Sequence, residues 1–237
     1  MNNLRVSRME SGQPEVFASI QGEGPTTGTP TVFLRLGICN LACSWCDTKY
    51  TWDWSSYSFS KRVMSMEISS VREIITSYGL RHLVVTGGEP LLQQNALADL
   101  LVSIDDSDLF CEIETNGTLL PNKELINLIS QWNVSIKLSN SHNELKLRER
   151  PSAIKSFVSL ETSYFKFVIV QPTDIPEVLN LVDEYNIPAD RVVLMPEGTT
   201  SKTVNDRGKW ISEICTNHGF RFSSRLHILL WGNKPGR

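Results

Sequence analysis

Thr31-Val32-Phe33-Leu34-Arg35-Leu36-Gly37-Ile38-Cys39-Asn40-Leu41-Ala42-Cys43-Ser44-Trp45-Cys46 reads as a strand, a glycine turn and a loop that carries three cysteines. Thr31 to Leu36 is a β-rich run, and Gly37 punctuates it. The cysteines follow as C-x3-C-x2-C, so they belong to a loop at the C-terminal end of a strand, where α/β folds put their chemistry. That spacing lets three thiolates converge on one inorganic centre.

The ligand arithmetic separates two centres. A structural zinc site takes four tetrahedral protein ligands, usually as pairs from two separated segments. No second pair exists here: Cys111 sits in the apolar run Leu109-Phe110-Cys111-Glu112-Ile113 and Cys215 in a helical pattern. Both read as small buried hydrophobes. Three thiolates without a fourth suit a 4Fe-4S cluster with one iron open to a non-protein ligand. A zinc-stabilised binding module stays open as the alternative.

The chain has 237 residues, 41% hydrophobic and 21% charged, which fits one soluble domain with a substantial core. No stretch approaches the roughly 18 uninterrupted apolar residues of a membrane span. The start, Met1-Asn2-Asn3-Leu4-Arg5-Val6-Ser7-Arg8, lacks the apolar core of a secretory signal, so a cytoplasmic protein is expected. A net charge of -3 argues against nucleic-acid binding, and Lys146-Leu147-Arg148-Glu149-Arg150 reads as a solvated helix face. Five cysteines, three of them crowded together, do not make a disulfide framework.

From Thr31 onward, β-rich runs alternate with amphipathic segments, the signature of βα units around a parallel sheet. Expected strands are 31–36, 82–86, 109–115, 134–138, 164–170, 191–195 and 220–226. Expected helices are 66–78, 91–104, 123–130, 152–160, 174–185 and about 206–218, with Asn122 an N-cap and Asp174-Ile175-Pro176-Glu177 a capping box. Six units and a final strand make the fold class α/β, a partial (β/α)6 TIM-like barrel in a single domain. The stretch 47–62 carries five aromatics without a helical period and reads as a long functional loop.

Further motifs stand at strand ends. Thr86-Gly87-Gly88-Glu89-Pro90 offers paired glycines that permit close backbone approach to a ligand, although an ordinary βα turn has the same composition. Glu114-Thr115-Asn116-Gly117 and Ser135-Ile136-Lys137 present polar groups to the same face; a Lys137–Glu114 ion pair is the structural alternative for the lysine.

The cysteine motif, with Trp45 before its last member, resembles that of the radical S-adenosylmethionine (SAM) superfamily. With Ile20-Gln21-Gly22-Glu23-Gly24, Cys46-Asp47-Thr48, TGGEP, ETNG and His227-Ile228-Leu229-Leu230-Trp231-Gly232-Asn233, nearly the whole chain is similar to the 7-carboxy-7-deazaguanine synthases. The resemblance implies a homodimeric enzyme with a shortened βα barrel. It would convert 6-carboxy-5,6,7,8-tetrahydropterin to 7-carboxy-7-deazaguanine with loss of ammonia, as in queuosine-type biosynthesis, using a 4Fe-4S cluster, SAM, Mg2+ and an electron donor such as flavodoxin.

Carried over by motif, Cys39, Cys43 and Cys46 hold the cluster, and Thr48 binds Mg2+. Gly88, Glu89, Ser135, Lys137, Met195, Pro196, Glu197 and Gly198 contact SAM. Ile20, Gln21, Gly22, Arg35, Thr86, Glu114 and His227 contact the pterin, Arg35 through its carboxylate. Two departures stand out: Ile136 replaces an expected proline, and the tail 231–237 is longer than in members whose terminal carboxylate reaches the substrate. A radical SAM activase acting on a protein glycine shares the cysteine spacing but lacks the IQGEG and HILLWGN segments. An iron-sulfur electron carrier would need no polar strand ends.

Overall fold

The structure is a computed structural model describing residues 3–234 and 236. Strands β1 (Asn3–Ser7) and β2 (Val16–Ile20) both pair antiparallel with β3 (Pro30–Leu36). A one-turn helix α1 (Phe59–Arg62) then leads to β4 (Val63–Glu67), antiparallel on β1. Next come α2 (Ile68–Ser77), β5 (His82–Gly87), α3 (Gln94–Ile104), β6 (Phe110–Thr115), α4 (Lys123–Ile126) and β7 (Gln131–Val134). The chain finishes with α5 (Leu145–Arg148), α6 (Pro151–Val158), β8 (Ser163–Ile169), α7 (Ile175–Tyr185), β9 (Val192–Pro196), α8 (Ser201–His218), β10 (Arg221–Phe222) and α9 (Leu226–Trp231).

Strands β3, β5, β6, β7, β8, β9 and β10 are parallel neighbours in that order. Each connection returns the chain to the next strand's start, the βα crossover that builds an open barrel. The α/β expectation and its strand sequence hold. Among the described residues no helix is long and apolar enough to cross a membrane.

Period-two alternation sorts the side chains of these strands. Val32, Leu34 and Leu36, Leu83 and Val85, Cys111 and Ile113, Phe165 and Phe167, and Val192 and Leu194 share one core with the helices. The alternate positions carry Phe33, Arg35, Thr86, Glu114, Lys166, Val168 and Met195, which line the barrel's cavity. The sheet is therefore apolar toward its helices and largely polar toward its interior.

Several boundaries differ from the sequence reading. Strand β7 covers Gln131–Val134 rather than 134–138. Its polar members point inward, where Gln131 and Asn133 donate to buried Glu112 at 2.9 and 3.2 Å, so the strand has no apolar signature. Residues 63–67 form a strand although Met66 was expected in a helix; Met and Glu favour helices locally, and pairing with β1 overrides them. Helix α4 stops at Ile126, and α8 begins at Ser201 behind Thr200, whose side chain caps Thr203 N.

The capping box is Gln171 with Asp174, not Asp174 with Glu177. Glu177 instead accepts from Ser139 N at 2.9 Å and pairs with Arg148 at 2.8 Å. Only Arg221–Phe222 remains of the last expected strand; Ser223 N still donates to Leu194 O at 3.0 Å, while its hydroxyl accepts from Gly24 N at 2.8 Å, and the chain then turns into α9.

Candidate active site

The cysteine loop leaves β3 through Ile38, whose φ of 78° is rare for a β-branched residue. Its backbone is clamped at both ends: Ile38 N donates to Thr51 O at 2.9 Å, and Ile38 O accepts from Glu89 N at 2.8 Å. Strain held this way belongs to a site whose surroundings over-determine it. The same contact explains the paired glycines after β5. A Cβ on Gly87 would lie 2.2 Å from Leu36 O, and one on Gly88 would lie 1.9 Å from Ile38 O. The TGGEP glycines thus let the ends of β3 and β5 touch, directly beside Cys39.

Cys39, Cys43 and Cys46 all line the barrel's cavity. Among the described residues no three His, Cys, Asp or Glu side chains are grouped around a single point that could hold one metal ion. A cubane takes each thiolate on a separate iron and needs no such convergence on one point. Burial pushes the Cys39 thiol up to about 12 and raises Cys43 as well. Ligation to iron offsets that cost by deprotonating thiols outright. Cys111 and Cys215 are buried in the apolar core, 1% and 3% exposed.

The two segments furthest apart in sequence meet over this cavity. Leu226 N donates to Gly22 O at 2.9 Å, and a Cβ on Gly22 would stand 2.4 Å from His227 Nδ1, so only glycine admits the imidazole. His227 lies on α9 rather than after a strand. Arg225, at the start of α9, joins three loops. Its Nε donates to Glu23 Oε1 at 3.1 Å, its Nη1 to Gly198 O at 2.6 Å and its Nη2 to Asp47 Oδ2. Lys166 of β8 completes the cluster with Nζ 2.6 Å from Glu23 Oε2.

Of the residues expected to contact substrate, Ile20, Gln21, Gly22, Arg35, Thr86, Glu114 and His227 all line the cavity. In the register Arg35 is opposite Thr86, and Thr86 donates to Glu114 Oε2 at 2.9 Å. Gln21 bridges to Glu114 at 3.3 Å and to Glu112 below. Arg35 also pairs with Glu15 at 2.9 Å, and Tyr50 donates to the same carboxylate.

Of the residues expected to contact SAM, Gly88, Ser135, Lys137, Met195 and Glu197 line the cavity, as does Thr48. Glu89, Pro196 and Gly198 do not lie on its wall. Glu89 is fully buried and accepts from Leu91 N, Thr115 Oγ1 and Asn116 N at 3.0, 2.7 and 2.7 Å, tying the end of β5 to that of β6. Lys137 does not pair with Glu114. It donates to Ser135 Oγ at 2.8 Å and stands 5.4 Å from the Trp45 ring centroid. Sequence reading missed Glu15, Glu23, Asp47, Lys166 and Arg225, together with Asn233, Lys234 and Gly236 of the tail. Glu23 and Asp47 stand inside the quoted motifs, the signal that could have found them; the terminal carboxylate lies outside the described residues.

Residues 34–150 match the model of the radical SAM superfamily. The 7-carboxy-7-deazaguanine synthase of Pyrobaculum aerophilum is 37% identical over 224 residues, covering 94% of this chain and 96% of that protein. This chain belongs to the 7-carboxy-7-deazaguanine synthase family. The Halobacterium salinarum synthase is 34% identical over 243 residues, covering 93% and 90%. The crystal structure of QueE from Escherichia coli superposes with a TM-score of 0.68 at 25% identity over 95% of each chain.

As in any radical SAM protein, the family brings a 4Fe-4S cluster and SAM, and the three cavity-facing thiols fit the cluster. Around the synthase cavity, charge is balanced in pairs. Burial would raise the Glu23 carboxyl, but Lys166, Arg225 and His227 outweigh it and hold Glu23 well below the usual carboxylate range. Burial would lower Lys166, and the Glu23 and Glu114 carboxylates keep it charged instead. Burial lowers His227 from the usual imidazole range with only partial compensation from Glu23, which favours its neutral form. The site therefore offers fixed cations, carboxylate acceptors and one imidazole.

Proposed function

We propose that this chain converts 6-carboxy-5,6,7,8-tetrahydropterin to 7-carboxy-7-deazaguanine with release of ammonia. The observation that carries this reading is a single cavity bordered on one side by the three cysteines and on the other by Gln21, Arg35, Thr86, Glu114 and His227. A carrier has no use for such a wall, and an activase has no use for a small-molecule pocket closed by its own N- and C-terminal segments.

Bound together, the cluster and SAM supply one-electron reductive cleavage and a carbon-centred radical. The chain's own residues do the rest. Arg35 offers a planar fork to the substrate carboxylate while Glu15, itself held by the Tyr50 hydroxyl, fixes its guanidinium in place. Gln21 and Glu114 present hydrogen-bonding groups suited to the amide and amine edge of a pterin, and His227 packs over it. Ser135, Lys137, Met195 and Glu197 border the SAM side.

Thr48, whose hydroxyl lies 3.5 Å from Cys46 Sγ, would supply one oxygen ligand to Mg2+, an ion that prefers oxygen ligands and would help orient the substrate. In this reading residues 15–28 are the substrate-binding segment of a single radical SAM core and residues 223–236 its C-terminal extension. A homodimer and a flavodoxin-like electron donor are supported by the family resemblance. Anaerobic reconstitution with iron and sulfide, then incubation with SAM, reductant, Mg2+ and carboxytetrahydropterin, tests the proposal. Expected are 7-carboxy-7-deazaguanine and ammonia; SAM cleavage without either would overturn the substrate assignment.

A further inference from the structure

Opposite the cysteine loop lies the segment Ser139–Asn143, a short 3-10 turn closed by His142 at φ 60°. It grips the loop along its length. Ser44 N donates to Ser141 O at 3.1 Å, Trp45 Nε1 to Asn140 Oδ1 at 3.1 Å and Ala42 N to Asn143 Oδ1 at 2.9 Å. The segment is itself fixed from behind, since Asn140 Nδ2 donates to Asp174 Oδ2 at 2.8 Å and Glu177 accepts from Ser139.

The Asn143 amide can face only one way. A backbone N–H can only donate, so Ala42 claims the amide oxygen and turns the NH2 group toward Cys43, with Nδ2 3.2 Å from Sγ. Asn116 is fixed by the same logic: its Oδ1 accepts from Thr118 N at 3.0 Å, leaving Nδ2 2.8 Å from Asn40 Oδ1 and 3.9 Å from Cys39 Sγ. Two of the three cluster cysteines thus face an amide donor whose orientation the backbone dictates.

We propose that Asn143, assisted by Asn116, donates N–H···S hydrogen bonds to the cluster thiolates and so raises the potential at which the cluster accepts its electron. Reduction adds negative charge to the cluster and its sulfurs, and a hydrogen bond strengthens with the charge on its acceptor. The donor therefore favours the reduced state, one of the ways proteins tune iron-sulfur potentials. Asn143 is a positioning residue acting through Cys43. The inference rests on the family's cluster and not on the identity of the substrate.

The test uses reconstituted protein without substrate, titrated electrochemically and read by EPR of the reduced cluster. Asn143→Asp keeps the acceptor for Ala42 N–H, removes the donor and adds negative charge; Asn143→Ala removes both the donor to Cys43 and the acceptor for Ala42 N–H and adds no charge. Both midpoints should move more negative, Asn143→Asp further. For Asn143→Ala the reduced-to-oxidised ratio at a fixed solution potential should fall about tenfold, equivalent to 59 mV for a one-electron couple. A second measurement needs no variant. Wild-type protein labelled with 15N in asparagine should show a 15N coupling to the reduced cluster in pulsed EPR. An unchanged midpoint in a variant with a full cluster, or no asparagine coupling in the wild type, overturns the proposal.

Discussion

Glu15 is 1% exposed and is shared by Arg35 and Tyr50, so Arg35 has a structural partner as well as a place in the cavity wall. Arg35→Ala should raise KM for the pterin sharply. By leaving a buried carboxylate unpaired it should also lower stability by about 3–5 kcal/mol, measured by anaerobic denaturation of the cluster-loaded protein. Cys39→Ala, Cys43→Ala and Cys46→Ala should each abolish 5'-deoxyadenosine formation, whereas Cys111→Ala and Cys215→Ala, in the apolar core, should retain it; chromatography of SAM digests separates the groups. If Thr48 ligates Mg2+, Thr48→Ala should leave iron content unchanged but blunt the response of turnover to added Mg2+, and an equal response in both proteins would make the hydroxyl structural. That the cysteines, Arg35 and Thr86 stand together on one cavity was legible because strand ends and motif spacing are local. Glu15 was not, since nothing near it in sequence reveals that β2 places it beside Arg35. Glu89 differs in kind: its motif is local, but its hydrogen bonds to Thr115 and Asn116 belong to the next strand, and sequence alone does not reveal them.

Between elements, Arg225 connects the start of α9 to the segment after β2, the cysteine loop and the segment after β9 through Glu23, Asp47 and Gly198. Its side chain is 8% exposed and Glu23's 14%. Arg225→Met should therefore cost about 3–5 kcal/mol, the range for breaking a buried ion pair from one side. Arg225→Lys keeps the charge but not the fork, so it should recover much of the stability while SAM is still cleaved with less product formed per cleavage; the ratio of 5'-deoxyadenosine to 7-carboxy-7-deazaguanine reads this. The parallel strands β3, β5, β6, β8 and β9 were legible because their helix-facing positions are continuously apolar or β-branched. Strand β7 slipped by three residues because Gln131 and Asn133 satisfy Glu112 in the barrel interior, and β4 was hidden by helix-favouring residues whose strand state comes from β1. Pairing across the sheet is non-local, and single-sequence patterns do not carry it.

At the scale of the molecule, seven parallel strands among the described residues, in sequential order, leave an open barrel. The N-terminal loop and α9 cover its mouth through Gly22, Glu23, Arg225 and His227. The barrel class could be read from the alternation of elements, and the IQGEG and HILLWGN segments from their motifs. Their mutual contact could not, because it joins residues more than 200 positions apart, such as Glu23 and Arg225. That closure puts the cysteines and the residues proposed to face the pterin in one cavity, and the central claim is that a radical made on the cluster side reaches a substrate held on the other. The most direct measurement supplies carboxytetrahydropterin deuterated at its saturated ring carbons to the reduced, cluster-loaded protein with SAM and Mg2+, then weighs the 5'-deoxyadenosine by mass spectrometry. The account predicts 5'-deoxyadenosine carrying deuterium together with 7-carboxy-7-deazaguanine; 5'-deoxyadenosine without deuterium, or none at all, would contradict it.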